Sequence, residues 1–253
     1  MRIASLGSGS HGNGTLVEDD GSCVLIDLGF TLKESVRRLQ RLGRSPEDVS
    51  AILVTHEHAD HILGVSAFAR KFGTPVYMTP GTRHLQRAEI LPKLFEINCH
   101  RPFAIGNMVV TPVTVPHDAK EPCQYVLVSA GRRVGVLTDL GHITPHVRQQ
   151  YAQCDALLLE CNHDRQMLTD GPYPWPLKQR VGGMQGHLNN EQAATLLTTV
   201  DLSRLQQLII CHISETNNQP ELALTAVQVA LKGWAGDLRV AEQEAGFCWI
   251  EVQ

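Results

Sequence analysis

Three histidines and an aspartate fall within the six residues His56-Glu57-His58-Ala59-Asp60-His61. Neutral imidazole and carboxylate oxygen are ligands for zinc, manganese or iron. So dense a set between two apolar segments points to metal chemistry rather than to a solvated turn. The run Ala51-Ile52-Leu53-Val54 before it reads as a buried strand, and residues 62–72 after it read as a helix ending at Gly73. On an extended backbone His56 and His58 project to the same side, because side chains alternate with period two. Asp60 and His61 open the helix and point elsewhere. One strand-to-helix turn can therefore offer two imidazoles to one metal and an Asp/His pair to a second.

Completing ligands are expected where apolar strands end, since sheet ends gather active sites. His117 follows a strand at 109–115, Asp139 one at 134–138 and His212 one at 208–211. Other strands are expected at 2–6, 15–18, 23–27, 51–55, 76–78, 125–129, 156–160, 238–241 and 247–252. Helices are expected at 32–42, 62–72, 145–153, 191–200 and 221–234. The order is neither strict strand-helix alternation nor all-β. An antiparallel pair, 125–129 with 134–138 around Gly131, sits beside strand-helix units. Many strands with few covering helices predict sheet packed on sheet with helices outside. That is an α+β protein, a four-layer αββα sandwich, as one domain over residues 1–253. Residues 165–186 read as an inserted loop, because Asp170-Gly171-Pro172-Tyr173-Pro174-Trp175-Pro176 carries three prolines and these argue against regular structure.

With 43% hydrophobic and 19% charged residues, the chain of 253 residues has the composition of an ordinary globule with a sizeable core. A net charge of −4 gives no overall signature of nucleic-acid binding, although bound divalent ions would reverse the local field. Seven cysteines without a Cys-x-x-Cys pair read as small buried hydrophobes in a reducing cytoplasm. No signal-peptide core follows Met1, and no apolar run approaches the roughly 20 residues that span a bilayer.

The ordered motifs resemble those of the metallo-β-lactamase fold superfamily: Asp27 after a strand, the His-x-His-x-Asp-His box at 56–61, then His117, Asp139 and His212. The resemblance spans essentially the whole chain. It implies that His56, His58 and His117 bind one metal, that Asp60, His61 and His212 bind the other, and that Asp139 bridges them. Asp27 then supports the site without binding metal, next to a tight turn marked by Gly29. The flavodiiron branch would carry Glu in place of His58, and the β-lactamases proper Cys in place of Asp139. Thioesterase-type members share the ligands found here. Gly186-His187-Leu188-Asn189 resembles the Gly-His-Ser-Ser/Thr stretch of the phosphodiesterase branch, where the His is a general acid paired with a strand-end Glu. Glu160 takes that Glu's place. A buried carboxylate facing His187 would raise its pKa and keep it protonated for a leaving oxygen.

A narrower resemblance is to the YycJ/WalJ group, 5′→3′ exonucleases acting on DNA. It is carried by Leu6-Gly7-Ser8-Gly9-Ser10-x-Gly12-Asn13, Glu160-x-Asn162-His163-Asp164, Asp170-Gly171-x-Tyr173-Pro174 and His212-Ile213-Ser214-Glu215-Thr216-Asn217-Asn218. Between Asp139 and His212 there is no room for a β-CASP domain. There is also no long arm of the kind that grips transfer RNA.

These readings predict a phosphodiesterase with two divalent metal ions, zinc or manganese, acting as a 5′→3′ exonuclease on single-stranded DNA. An activated hydroxide oriented by Asp60 and Asp139 would attack phosphorus, and His187, held by Glu160, would protonate the leaving oxygen. Expected substrate contacts are Ser10, Asn13, His163, Tyr173, Lys178 and Arg180, since aromatics beside cations suit single strands. The Gly/Ser loop at 7–14 either offers backbone N–H groups to phosphate or is a plain tight turn. Lys33, Arg37, Arg41 and Arg44 read as a solvated helix face. The alternative substrate is a small cyclic phosphodiester, and a non-catalytic binding protein on this fold is disfavoured by the complete ligand set. Partners are thus a nucleic-acid end or a small phosphodiester, with no membrane and with a homodimer left open.

Overall fold

The computed structural model describes residues 1–85 and 91–253. The chain opens with β1 (Arg2–Gly7), β2 (Gly14–Asp19), β3 (Ser22–Ile26), α1 (Leu32–Arg41) and β4 (Ala51–Leu53). It continues through α2 (Ala59–Ile62), α3 (Val65–Phe72), β5 (Val76–Met78), α4 (Pro80–Leu85) and β6 (Leu94–Glu96). A second series follows: β7 (Phe103–Ile105), β8 (Met108–Thr114), β9 (Cys123–Ser129), β10 (Arg132–Leu137), α5 (Pro145–Gln150) and β11 (Ala156–Glu160). Then come α6 (Arg165–Asp170), α7 (Trp175–Val181), α8 (Asn190–Thr199), β12 (Gln207–Cys211), α9 (Pro220–Ala230) and β13 (Asp237–Val240). Last is β14 (Phe247–Glu251), which returns to the first sheet beside β1.

Among the described residues the strands form two sheets of seven, ordered β14-β1-β2-β3-β4-β5-β6 and β13-β12-β11-β10-β9-β8-β7. Each sheet has three antiparallel pairings followed by three parallel ones. Period-two alternation decides which layer each side chain fills. Val24 and Ile26 face the other sheet, where they meet Tyr125, Leu127, Val136 and Leu158. Their neighbours Cys23 and Leu25 face outward onto the layer of Leu39 and Phe68. Leu157, Leu159 and Ile210 face outward onto Leu196 and Val227. Strands buried on both faces are therefore apolar at every position rather than at alternate ones. The result is the αββα sandwich that the element order predicts.

Several elements differ from the sequence expectation. The helix expected at 62–72 is two pieces, α2 and α3, because Gly64 packs against the backbone of residues 28–30. A Cβ there would lie 2.1 Å from the Phe30 carbonyl oxygen. The segment 165–186 is not irregular: it carries α6 and α7. Pro174 stands at the N-cap of α7 and Pro176 in its first turn, where a missing N–H costs nothing. Strands β6 and β7 and helix α4 are three to six residues each and half exposed where described, so no periodicity announces them. Six of the seven cysteines are buried, but Cys248 is exposed. Lys33, Arg37 and Arg41 of α1 are exposed, as a solvated face requires, although Arg37 also pairs with Glu34 and Arg41 donates to the carbonyls of Leu6 and Glu244; Arg44, beyond the helix, is half-buried and pairs with Glu18. Among the described residues no helix is long and apolar enough to cross a membrane.

Two bonds tie the sheets together beside the end of β4. The fully buried Tyr125 hydroxyl on β9 donates to the Val54 carbonyl at 2.7 Å, and Cys123 N–H donates to the Thr55 carbonyl at 3.0 Å. Both acceptors lie just before the histidine box. Tyr125→Phe should therefore lower stability by about 1–3 kcal/mol, since it strands a buried carbonyl. Urea unfolding checks this: the midpoint should fall with the slope unchanged.

Candidate metal centre

The site is built where strands of both sheets end. Asp27 follows β3, residues 55–61 follow β4, His117 follows β8, Asp139 follows β10, Glu160 ends β11 and His212 follows β12. Asp27, Asp139 and His212 have φ of 60°, 46° and 53°, left-handed conformations uncommon for residues other than glycine. Such backbone persists only where its surroundings over-determine it, and it turns each side chain off its strand.

The box is fastened by Asp27. Its carboxylate accepts from Thr55 N–H and from Thr55 Oγ1, each at 2.8 Å, and from His61 Nδ1 at 2.8 Å. Leu28 N–H donates to the His61 carbonyl and Asn13 N–H to the Asp60 carbonyl, both at 2.8 Å. Gly29 is not the expected tight turn. It is a point of close approach, where a Cβ would lie 1.8 Å from the Asp60 carbonyl oxygen.

The outward nitrogens of three histidines face acceptors. His61 Nδ1 meets Asp27, His117 Nδ1 meets the Gly186 carbonyl at 2.9 Å, and His56 Nδ1 meets Thr55 Oγ1 at 2.9 Å. Because Thr55 Oγ1 gives its own proton to Asp27, it can only accept from His56. In the neutral rings of His56 and His117 the proton is then on Nδ1 and the Nε2 lone pair points inward, and in His61 Nδ1 keeps its proton so that Nε2 is the atom a cation would take. His56 Nε2 then lies 2.9 Å from His58 Nδ1, which lies 3.3 Å from His117 Nε2. Three nitrogens converge with too few protons to share, which is the donor set a cation would satisfy. A second group contains Asp60, His61 and His212: His61 Nε2 is 3.3 Å and His212 Nε2 is 4.0 Å from Asp60 Oδ2. Asp139 stands between the groups, 3.2 Å from His61 Nε2, 3.4 Å from His212 Nε2 and 4.0 Å from His117 Nε2. Its Oδ2 is buried without hydrogen-bond geometry to any partner among the described residues. A buried carboxylate oxygen left in that state is costly, and coordination to a cation would relieve it.

The charges say the same. Burial, reinforced by His61, pushes His56 well below the usual imidazole range, which leaves it neutral as a ligand must be. Burial likewise lowers His117 against the pull of Asp139. His61 goes the other way: burial opposes its charge, but Asp139, Asp60 and Asp27 outweigh it and raise its pKa well above normal. Burial also opposes ionisation of Asp139 and Asp60. His212 and His61 hold Asp139 well below the carboxylate range, and His61 brings Asp60 down to about 2. The pocket thus demands positive charge, and the described residues fit a divalent ion.

Beside these groups Glu160, fully buried, accepts from His187 Nδ1 at 2.6 Å with Oε1. Its Oε2 accepts from the N–H groups of Leu140 and Leu188 at 3.1 and 3.0 Å. Burial disfavours the imidazolium of His187, but Glu160 outweighs it and lifts the pKa to about 9. His187 also stacks on His212, with ring centroids 5.4 Å apart.

A cleft of about 320 Å³ opens onto both groups, lined by Ser10, His58, Asp60, Asp139, Arg180 and His187 among others. Ser10 and Arg180 are therefore where the sequence expected them, though Arg180 is engaged by Asp118. Asn13 is not: it is buried, accepts from Gly9 N–H at 2.9 Å and contacts Asp60 and His61, so it shapes the site from behind. The N–H groups of Ser8, Gly9, His11 and Gly12 are likewise spent on Glu242, Asn13, Gln243 and Gly9, which favours the plain-turn reading of that loop. His163 and Lys178 line a different cavity, and half-buried Tyr173 lines neither. Sequence reasoning missed Asp118, whose carboxylate lies 3.5 Å from His117 Nε2 and 3.8 Å from His58 Nε2. Its position next to His117 was the available signal.

The model of the β-lactamase superfamily domain matches residues 23–213. The exodeoxyribonuclease WalJ of Streptococcus pneumoniae serotype 2 is 34% identical over 231 residues, 88% of this chain and 85% of that protein. The exodeoxyribonuclease YycJ of Bacillus anthracis is 33% identical over 238 residues, 92% of this chain and 89% of that protein. Among solved structures, the metallo-β-lactamase fold protein YhfI of Bacillus subtilis superposes with a TM-score of 0.74 at 15% identity, over 99% of each chain.

The role given to Asp27 is open to test. Asp27→Asn should weaken divalent-metal affinity by about 10–100-fold, because it loosens His61 without removing a ligand. Competition against a chelator of known affinity reads this, with circular dichroism to show that the fold persists.

Proposed function

The chain belongs to the β-lactamase superfamily, and from that membership and its site we propose a metal-dependent phosphodiesterase that degrades single-stranded DNA as a 5′→3′ exonuclease. Two relatives matched over most of this chain carry the name exodeoxyribonuclease, which supports DNA as the substrate. The observation that carries the reading is the bond of 2.6 Å between His187 and Glu160 at the edge of the ligand groups. A thioester has no leaving oxygen that needs a proton from such a group, whereas a phosphodiester does. The polarity is the part taken from the sequence resemblance.

His56, His58 and His117 would hold one divalent ion, and Asp60, His61 and His212 a second, with Asp139 between them. Zinc and manganese both suit these donors. Such ions supply Lewis-acid polarisation of a phosphoryl oxygen and a nucleophile at neutral pH. The chain's own residues do the rest. Asp60 and Asp139, held ionised, accept hydrogen bonds from an attacking water and orient it. His187 keeps Nδ1 against Glu160, so Nε2 is the atom that gives its proton to the leaving oxygen. Glu160 keeps the imidazole charged and fixes its plane. Arg180, drawn from Asp118, offers a guanidinium to a phosphate in the cleft. Free thiols throughout support a reducing, cytoplasmic setting.

A second reading, hydrolysis of small cyclic phosphodiesters, is favoured by the modest cleft of about 320 Å³. One digestion separates the two. Metal-reconstituted protein should release mononucleotides from 5′-labelled single-stranded DNA, and a His58→Ala/Asp60→Ala variant should not. No digestion beside intact turnover of bis-p-nitrophenyl phosphate would move the substrate to small diesters.

The general acid has its own tests. His187→Ala should retain its metal by elemental analysis while losing about 10²–10⁴-fold in turnover. Glu160→Gln removes the negative charge that raises the His187 pKa. Loss of the proton then occurs at lower pH, so the alkaline limb of the kcat profile should move toward acid.

A further inference from the structure

Helix α7 has two flanks with different tasks. Leu177, Arg180 and Val181 face the metal cleft. Trp175, Lys178 and Gln179 face a second cavity of about 240 Å³, whose other walls include His163, Arg165 and Asn189. The mechanism uses none of these.

Three features of that cavity lack a structural explanation. His163 is 2% exposed, yet its Nδ1 has no hydrogen-bond partner among the described residues. Leaving a buried imidazole nitrogen unpaired is costly unless something else occupies the place opposite it. The backbone of His163 is well fixed, since its carbonyl accepts from Asn190 N–H at 3.0 Å and it bridges to Asn189. Trp175 is 68% exposed, an indole presented to solvent at the rim. Arg165, also exposed, stands at the rim with no carboxylate partner among the described residues, while Lys178 is tied to the Thr169 carbonyl at 2.5 Å. Burial pushes the His163 pKa down to about 4 against the pull of Glu160, so the ring is neutral and can donate or accept. A flat apolar face, a cation and a neutral hydrogen-bonding edge are the three parts that hold a base and its phosphate.

We propose that this cavity is a second nucleotide subsite, in which a base stacks on Trp175 against the wall that His163 contributes, and its phosphate meets Arg165. The inference rests on the nuclease reading, because it places another nucleotide of the same strand across α7 from the scissile phosphate. A helix with its side chains is about 10–12 Å across, a gap that a short stretch of single strand bridges. The subsite would give the enzyme a preference for polymers that the metal cleft alone does not provide.

The test compares oligodeoxythymidylates of two to eight nucleotides. In wild type KM should fall with length, and Trp175→Ala and Arg165→Ala should each flatten that fall by about tenfold at the longest substrate. Both residues are exposed, so both variants should fold, and turnover of bis-p-nitrophenyl phosphate should be unchanged. His163→Gln, at a buried position, is read only if its unfolding midpoint matches wild type. A length dependence equal to wild type in both exposed variants overturns the subsite while leaving the nuclease reading intact. If wild type degrades no DNA, that reading has failed and the cavity is probed directly with thymidine 5′-monophosphate. Quenching of tryptophan emission that Arg165→Ala and Trp175→Ala both abolish then supports a nucleotide site, and its absence in wild type overturns it.

Discussion

The Asp27 carboxylate is the interaction on which the metal centre depends. It ties Thr55 and His61 to the end of a different strand, and Thr55 in turn fixes the tautomer of His56. One anion thus sets the orientation of an imidazole in each ligand group without joining either. It does so from a left-handed backbone that the residue would not adopt alone. The contacts that hold it there are backbone bonds from residues 13 and 28 to the box, and they tolerate no side chain at Gly29.

That arrangement explains how a short polar segment can be buried between two sheets. Six residues with three imidazoles and two carboxylates would be expensive in an apolar interior if any were left unpaired. Here the outward-facing nitrogens of His61 and His56 meet Asp27 and Thr55, while the inward-facing ones converge with too few protons to share, and Glu57 Oε2 is buried without a hydrogen-bond partner among the described residues, so the segment's remaining cost is one a cation would offset. Charge balance carries the rest. Asp60, Asp139 and Asp27 surround His61, and Glu160 answers His187. The site is a small polar core with an appetite for cations.

Much of this was legible in the sequence because the chemistry is local. The box, His117, Asp139 and His212 are polar residues leaving strands whose last residues are mostly apolar and buried. The pairing of Glu160 with His187 was legible only through resemblance, since 27 residues separate them and nothing local joins them. What escaped was set by tertiary contact. Gly64 interrupts a periodic helix because of the Phe30 carbonyl it meets. The prolines at 174 and 176 start a helix instead of excluding one, since a first turn needs no N–H there. Asn13 reads as a phosphate contact because it sits in a glycine loop, but the N–H groups of Ser8, Gly9, His11 and Gly12 are spent within the loop and on residues 242 and 243. That His163 and Lys178 line a cavity on the other side of α7 from the metal cleft is likewise set by tertiary structure.

The two sheets repeat one plan, three antiparallel pairings and then three parallel ones, and this has a consequence for how the molecule comes together. Asp27 and the box belong to the first repeat. His117, Asp139, Glu160, His187 and His212 belong to the second, so neither repeat alone owns a complete set of ligands. A cation held by the proposed ligands would act as a clasp between the two repeats, and its binding energy would become part of the cohesion of the whole. Assembly and chemical competence are then one event: a molecule whose halves have not closed cannot capture the ion, and so cannot cut before it is folded.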